Sequence, residues 1–398
     1  MNILLNVEPS GPSYESAKRA LEIGADSVIS ELKASGLSGR GGAGFPAAIK
    51  WETVRSQQAN PKYLIINAEE SEPGTFKDRQ VLSDNPHALI EGAIIGALTT
   101  GCSRGYIYIR PDYKAPAEAF NKALEEAREA GALGPDVLGS GFGFDIEVVF
   151  GGGAYICGEE TALINSMMGL RGEPNTKPPF PAIEGFLGKP TLLSNVETFA
   201  YVPWIVANGG EAYANLGANG AKGMRLYSVS GDVSKPGNYE LPVGTTAREL
   251  IFDYAGGVKG GEELKAFIPG GASSAPLPPD KLDTPLDFRP LAEAGSMMGS
   301  GAMIVVAQSR SMLEMARNIM GFFADESCGK CSPCRIGCVK INEYLNNDGG
   351  VDPARVTELE DLIEGVAQGS LCGLGMAAPN IVKGGLAHWR GEMLAGGE

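Results

Sequence analysis

Three cysteines at strict three-residue spacing, Cys328, Cys331 and Cys334, lie in the turn Glu326-Ser-Cys-Gly-Lys-Cys-Ser-Pro-Cys-Arg335. Thiolates so placed, in a turn that also holds Gly and Pro, wrap one metal centre, and the surrounding chain must fold to suit it. The spacing fits an iron–sulfur cluster. Structural zinc prefers paired C-x2-C knuckles split by a spacer. A disulfide framework belongs to small secreted domains, whereas this chain has 398 residues and seven cysteines, an odd number. Spacing alone leaves the fourth ligand open between Cys372, in Ser370-Leu-Cys-Gly-Leu-Gly375, and the nearer Cys338. Helical geometry leans towards Cys372, because Cys338, one turn beyond Cys334, follows the helix face instead of closing over a cluster. Cys102 and Cys157 are expected to be small buried hydrophobes.

The length allows two or three domains, and 43% hydrophobic content can fill their cores. A net charge of −15 with only 33 basic residues excludes a broad nucleic-acid footprint, which needs clustered Lys and Arg. The first residues, Met-Asn-Ile-Leu-Leu-Asn-Val-Glu-Pro, show neither a basic n-region nor a full apolar h-region, and no stretch approaches the length of a membrane span. A cytoplasmic location without membrane insertion is the expectation. Fifty-six glycines exceed the average share of about 7%, which calls for tight turns or for backbone close to ligands.

Residues 15 to 35 read as a helix with Ala17, Ala20, Leu21, Val28, Ile29 and Leu32 on its apolar face and Gly36 as its stop. In Ser38-Gly-Arg-Gly-Gly-Ala-Gly-Phe-Pro46, residues Gly39, Gly41 and Gly44 spell G-x-G-x-x-G, but a helix precedes them where a dinucleotide fold requires a strand. The loop still suits a phosphate, with amides unshielded by side chains, a helix that starts at Pro46, and charge from Arg40 and Lys50. The bland alternative is a surface turn. The strand Tyr63 to Asn67 leads into Ala68-Glu-Glu-Ser-Glu-Pro-Gly-Thr-Phe-Lys77, at the strand end where open α/β sheets bind ligands. Glu69, Glu70 and Glu72 there are either a solvated loop or acceptors for ribose hydroxyls and for a flavin or nicotinamide amide. His87 is expected to begin a helix.

An apolar helix over 87–100, a strand over 106–109, an amphipathic helix over 115–130 and a strand over 145–150 imply a mainly parallel sheet covered on both faces. Gly151-Gly-Gly-Ala-Tyr-Ile-Cys-Gly-Glu-Glu-Thr161 then opens a helix over 162–168, with Glu159 and Glu160 suited to its dipole and Tyr155 free to stack or pack. Lys177 to Ala182 should be a stiff strap that presents Phe180. Ser194-Asn195 precede a helix over 196–206, and residues 210–222 read as a linker. Strand, strand, helix, strand over 225–230, 237–241, 247–254 and 264–268, closed by a strand at 299–306, make a small α+β module. Helices near 311–324, 334–346, 353–368 and 377–390 make a bundle, with the cysteine turn between the first two and Cys372 between the last two.

These segments resemble the NADH-oxidising flavoprotein subunit of respiratory complex I and its relatives in NAD-linked hydrogenases, formate dehydrogenases and electron-bifurcating complexes. The resemblance spans nearly the whole chain. Its most specific parts are Gly39 to Pro46, Asn67 to Arg79, Gly153 to Ala162, Lys177 to Pro181, Asn195-Val-Glu-Thr198 and Glu326 to Arg335. It implies a non-Rossmann FMN-binding α/β domain over 1–215, a β-grasp-like module over 222–308 and a C-terminal four-helix bundle with a [4Fe–4S] cluster over 311–398. Matched residue by residue, Gly39, Arg40, Gly41, Gly42, Lys50, Asn67, Glu69, Tyr155, Gly158, Glu159, Ser194, Asn195 and Thr198 would surround FMN. Phe45, Glu72, Glu160 and Phe180 would contact NADH, and Cys328, Cys331, Cys334 and Cys372 would hold the cluster. The family usually has Asp at Glu69, Asn at Ser194 and Leu-Gly-Asp where this chain has Leu374-Gly-Met376.

The activity so implied is hydride exchange between NADH and flavin, with electrons passing singly through the cluster to or from partner subunits. The flavin does the chemistry, so no side chain is required as a general base. The expected setting is a soluble multi-subunit oxidoreductase or the cytoplasmic face of a membrane-bound complex, with a thioredoxin-like [2Fe–2S] subunit and further iron–sulfur or catalytic subunits as partners. Longer relatives carry an N-terminal thioredoxin-like domain and a C-terminal ferredoxin domain, for which this sequence has neither room nor cysteines. The alternatives are the complex I subunit itself, or a scaffold subunit that keeps the cluster and has lost the flavin.

Overall fold

The structure, a computed structural model, describes residues 2–8, 11–347 and 349–395. It divides into two compact units. The first runs to Ser71 and takes in Phe76–Tyr227 and Tyr239–Gly244; the second comprises Glu72–Thr75, Ser228–Asn238 and what is described from Thr245 onward. The expected domain limits at residues 1 and 398 lie outside the described residues. No helix among the described residues is long and apolar enough to cross a membrane.

In the first unit, α1 (Glu15–Ser35) stops at Gly36, whose positive φ of 64 no branched side chain would favour, and an interior Gly24 kinks it. Its face Ala17, Ala20, Val28, Ile29 and Leu32 is buried, but Leu21 is 37% exposed, off the stripe by one position. After α2 (Ala47–Ser56) come β1 (Tyr63–Ala68), α3 (Asp78–Asp84), α4 (Pro86–Thr100), β2 (Arg104–Ile109), α5 (Lys114–Glu129), β3 (Ile146–Phe150), α6 (Glu160–Met167) and β4 (Thr191–Asn195). The sheet order is β3-β2-β1-β4 and its pairings are all parallel. Helical crossovers are what parallel neighbours require. Leu64, Ile65 and Ile66 of β1 are fully buried, as a central strand covered on both faces must be. The helix α4 is apolar all round and buried almost throughout, so it is a core element. His87 begins α4 as expected and bridges Tyr14 Oη (2.7 Å) to Glu126 (2.9 Å).

Two expectations fail here. Residues 196–206 form not one helix but α7 (Val196–Ala200) and α8 (Val202–Asn208), which break around Tyr201. The expected linker over 210–222 contains α9 (Gly210–Ala214) and the fully buried Tyr213. A Cβ at Gly210 would lie 2.0 Å from the Glu31 carbonyl oxygen, so this polar, Gly-rich stretch packs directly on α1.

The second sheet has β5 (Met224–Gly231), β6 (Gly237–Pro242), β7 (Leu264–Ile268) and β8 (Ala302–Ala307) in the order β6-β5-β8-β7. β5 and β8 run parallel, and β7 runs antiparallel to β8. The helix expected over 247–254 is mostly a wide π turn, Glu249–Tyr254. After the short α10 (Phe288–Glu293), the chain becomes helical: α11 (Met312–Glu326), α12 (Ser332–Leu345), α13 (Val356–Gly369), α14 (Gly373–Ala377), α15 (Asn380–His388) and α16 (Arg390–Met393). The helix expected over 377–390 is thus three pieces, which divide at Pro379 and Trp389.

Candidate functional site

Parallel pairing brings two predicted residues together by register. Asn67 at the end of β1 stands beside Asn195 at the end of β4, and Ile66 beside Ser194. Asn67 donates from Nδ2 to Gly158 O (2.9 Å) and accepts from Glu69 N at Oδ1 (3.1 Å), so it ties the turn at 155–158 to the loop after β1. The glycine loop is closed at its base by Gly39 N to Phe45 O (2.8 Å) and Ala47 N to Leu37 O (2.9 Å). Gly42, at φ 130, needs the conformational freedom of glycine. A Cβ at Gly41 would approach Asn195 Cβ to 3.3 Å, while one at Gly42 would meet nothing within 4 Å. The loop therefore rests on the end of β4 on one side and is open on the other.

Arg40 is where the reading from sequence needs correction. Its guanidinium, expected to add charge to the loop, is 2% exposed and turned into protein, donating to Ser38 Oγ (2.8 Å) and Met224 O (2.9 Å) and lying 3.9 Å from Glu197. Its backbone N–H goes to Thr198 Oγ1 (2.9 Å). Lys50 Nζ lies 2.9 Å from Leu193 O and 3.5 Å from Glu160.

Glu159 caps α6, accepting from Thr161 N (2.8 Å) and Ala162 N (2.9 Å) through one oxygen. Lys177 bridges Glu159 and Glu160 at 2.7 Å each. Burial opposes the charge of Glu160, but Lys50 and Lys177 outweigh it and hold the carboxyl below the usual glutamate range. Phe45 and Phe180 are half exposed, and Tyr155 is half buried. Glu72 belongs to the second unit, where its carboxylate accepts from Ser273 N (2.7 Å) and Ser273 Oγ (2.9 Å). Side-chain-free amides with open space beside Gly42, a lysine and uncovered aromatic rings fit a phosphorylated flavin.

Sequence reasoning passed over the charges beneath these residues. The Lys77 ammonium, 1% exposed, lies 2.7 Å from Asp78, 2.7 Å from Glu197 and 3.1 Å from Asn195 Oδ1. Burial works against its charge, yet Asp78, Glu197 and Glu70 together hold its pKa above the ordinary lysine value. Glu70 accepts from Asp78 N (2.8 Å), Arg79 N (3.2 Å) and Tyr113 Oη (2.9 Å). Burial, with Asp78 adding, raises its carboxyl to about 7. Lys77 and Asp78 drew no reading of their own in sequence beyond lying in the segment Asn67 to Arg79.

In the second unit, Cys331 caps the start of α12 and Cys334 lies in its first turn, while Cys372 caps the start of α14. The loop that carries Cys372 comes hard against Cys334: a Cβ at Gly375 would lie 2.9 Å from Cys334 Cβ, and one at Gly369 would lie 3.0 Å from Pro333. Cys328, Cys331 and Cys372 are partly exposed, Cys334 and Cys338 buried. The thiols of Cys334 and Cys338 are 3.9 Å apart. A hydrogen bond from Cys338, against the opposing effect of burial, lowers Cys334 to about 6, and Cys338 is pushed up in return. A thiol that ionises readily is the form that ligates metal. Among the described residues, no three His, Cys, Asp or Glu side chains converge as the ligands of a single ion do. Cys102 and Cys157 are buried, as expected of lone cysteines.

Residues 32–204 match the family described as the Nuo51 FMN-binding domain, 225–306 the SLBB domain, and 314–396 the NADH-ubiquinone oxidoreductase-F iron–sulfur binding region. The chain is 43% identical over 396 residues to the F 2 subunit of the NADH-quinone oxidoreductase of Rhizobium meliloti (strain 1021), covering 98% of this chain and 94% of the relative. It is 43% identical over 369 residues to the NADP-reducing hydrogenase subunit HndC of Solidesulfovibrio fructosivorans, covering 92% and 75%. A solved NAD+-reducing [NiFe]-hydrogenase in the H2-reduced state matches with a TM-score of 0.89 at 33% identity, over 99% of this chain and 66% of that one, just under two thirds of its length. At this identity and coverage, the chain belongs to the family of the NADH-quinone oxidoreductase F subunits.

Proposed function

We propose that this chain is the NADH-oxidising subunit of a multi-subunit oxidoreductase, working with NAD(H), FMN and a [4Fe–4S] cluster. One observation carries the reading: the glycine loop, the ends of β1 and β4 and the turn before α6 meet around Asn67 and Asn195, all within one unit. When bound there, FMN supplies the step that this chain's side chains do not, exchanging a hydride with nicotinamide and releasing electrons singly.

Gly39, Gly41 and Gly42 offer unshielded backbone, and Lys50 a cation, to the phosphate end. Asn67, Glu69, Tyr155, Gly158, Glu159, Ser194, Asn195 and Thr198 wall the flavin site, with Arg40 bracing the loop from below. Phe45 and Phe180 take the flat rings of NADH, and Glu160 its hydroxyls; the carboxylate of Glu72 is engaged by Ser273 in the second unit. Cys328, Cys331, Cys334 and Cys372 hold the cluster, and the mutual approach of Cys334 and the loop at 369–375 supports that set. The organisation we infer is an FMN and NADH domain over 1–215, a β-grasp-like module over 222–308 and a four-helix [4Fe–4S] domain over 311–398. A thioredoxin-like [2Fe–2S] subunit, with further iron–sulfur or catalytic subunits, takes or supplies the electrons, in the cytoplasm.

The visible spectrum of the purified chain tests this. Flavin bands over a broad iron–sulfur shoulder, with FMN released by acid, are the expected result. A shoulder alone would leave the flavin-less scaffold, and neither feature would end both readings.

A further inference from the structure

The amide of Asn195 is fully committed within the protein. Its Oδ1 accepts from Lys77 Nζ (3.1 Å) and Glu197 N (3.0 Å), which uses both lone pairs. Its Nδ2 donates to Asp78 Oδ2 (2.6 Å) and reaches Asn67 O at 3.5 Å. The opposite orientation would set NH2 against an ammonium and an N–H, and an oxygen against a carboxylate, so one orientation alone satisfies its neighbours. Lys77, Asp78 and Glu197 are each no more than 3% exposed. Buried charges of this kind stabilise a fold no better than apolar side chains of the same volume. They sit where three segments of the site meet: the loop after β1, the end of β4 and, through Glu197 and Thr198, the glycine loop at Arg40.

We propose that Asp78, with Lys77, is a positioning residue for the flavin site: it locks the Asn195 amide, making Asn195 a fixed wall beneath Gly41 instead of a hydrogen-bond donor to the cofactor. This rests on the FMN reading above. The wall matters because a side chain at Gly41 would meet Asn195 Cβ at 3.3 Å, Cγ at 3.8 Å and Nδ2 at 4.0 Å, so the amide itself forms part of the surface facing the loop.

The chemistry allows a swap. In Asp78→Asn, one oxygen cannot serve both Lys77 and Asn195. In Asn195→Asp, two carboxylates face each other. In the double variant, Asn at 78 donates to Asp at 195, Lys77 reaches an oxygen on each, Glu197 N keeps its acceptor, the net charge is unchanged, and only the long 3.5 Å contact to Asn67 O loses its donor. The full-length chain, stripped of flavin, is titrated with FMN by flavin fluorescence; the midpoint potential of the bound flavin and the thermal midpoint of the flavin-free chain are read beside it. Each single variant is expected to raise the FMN dissociation constant about tenfold, the effect of one unsatisfied buried group. The two singles change charge in opposite directions, so a shared weakening points to geometry. The swap should return affinity and potential close to wild type.

Wild-type affinity in both singles overturns the proposal. So does a swap that regains its thermal midpoint but not its affinity, which would make the Asn195 amide a direct contact. If a single variant does not fold, the swap decides alone, and a swap that fails to fold also overturns it. Wild-type protein that binds no FMN at all would instead fell the flavin reading itself.

Discussion

Glu160 is held as a carboxylate by two lysines, and in its proposed place beside NADH that charge would set the choice of nucleotide. Beside a ribose hydroxyl a carboxylate accepts a hydrogen bond; beside a 2′-phosphate it repels. NADH should be preferred, and Glu160→Gln should narrow the ratio of kcat/KM for NADH over NADPH by about tenfold or more. An unchanged ratio removes Glu160 from that role. At the cluster, Cys372→Ser should lose or convert the electron paramagnetic resonance signal of the reduced protein, and Cys338→Ser should leave it intact, since Cys338 is wholly buried in α12 whereas Cys372 is partly exposed on the loop facing Cys334. The reverse pattern would make Cys338 the ligand. Of these residues, the cysteine turn was legible from spacing alone, because a metal site is written in local sequence. The inward turn of Arg40 was not: which way a long side chain runs depends on Tyr213 and Met224, far away in the chain.

Single strands and helices carry their own tests. Gly92 in α4 lies where a Cβ would come 1.9 Å from the Phe199 carbonyl oxygen of α7. Helix propensity alone predicts that Gly92→Ala gains about 1 kcal/mol, whereas overpacking costs about 1–3 kcal/mol. Backbone cannot give way as a side chain would, so we expect a net loss, read as a lower thermal midpoint; a gain would mean that α4 and α7 are further apart. Glu70, which takes the first two N–H groups of α3, has its carboxyl raised from 4.5 to about 7. The folded chain then holds a proton that the unfolded chain has released, so this group's contribution is full below about pH 4.5 and lost as pH rises through about 7, at no more than about 1.4 kcal/mol per pH unit. Glu70→Gln should remove that fall, so wild type should lose stability relative to the variant across this window; parallel curves would contradict it. β4 escaped the sequence reading because Thr191-Leu-Leu is too short an apolar run to distinguish from a helix start. Its partner β1 makes it a strand.

For the molecule as a whole, one flavin and one cluster leave electrons that must go elsewhere, and a small thioredoxin-like [2Fe–2S] subunit should co-purify from the native source. A chain that stays monomeric and reduces a physiological acceptor unaided at full rate would refute this. What the sequence by itself determined was local: the parallel α/β class, from strands alternating with helices; the helix stop at Gly36; and the cysteine spacing. The last two depend on residues within a turn or two of one another, and the first on the order of elements that are each locally patterned. Only tertiary structure decided that residues 210–214 pack as helix on α1 instead of linking, that the last predicted helix breaks into three, and that Lys77, Asp78 and Glu197 form one buried cluster against Asn195. Those outcomes depend on close approaches such as Gly210 to Glu31 and ion pairs such as Lys77 to Glu197, 120 residues apart by number. Buried charges find partners wherever the fold places them, and no local pattern records where that is.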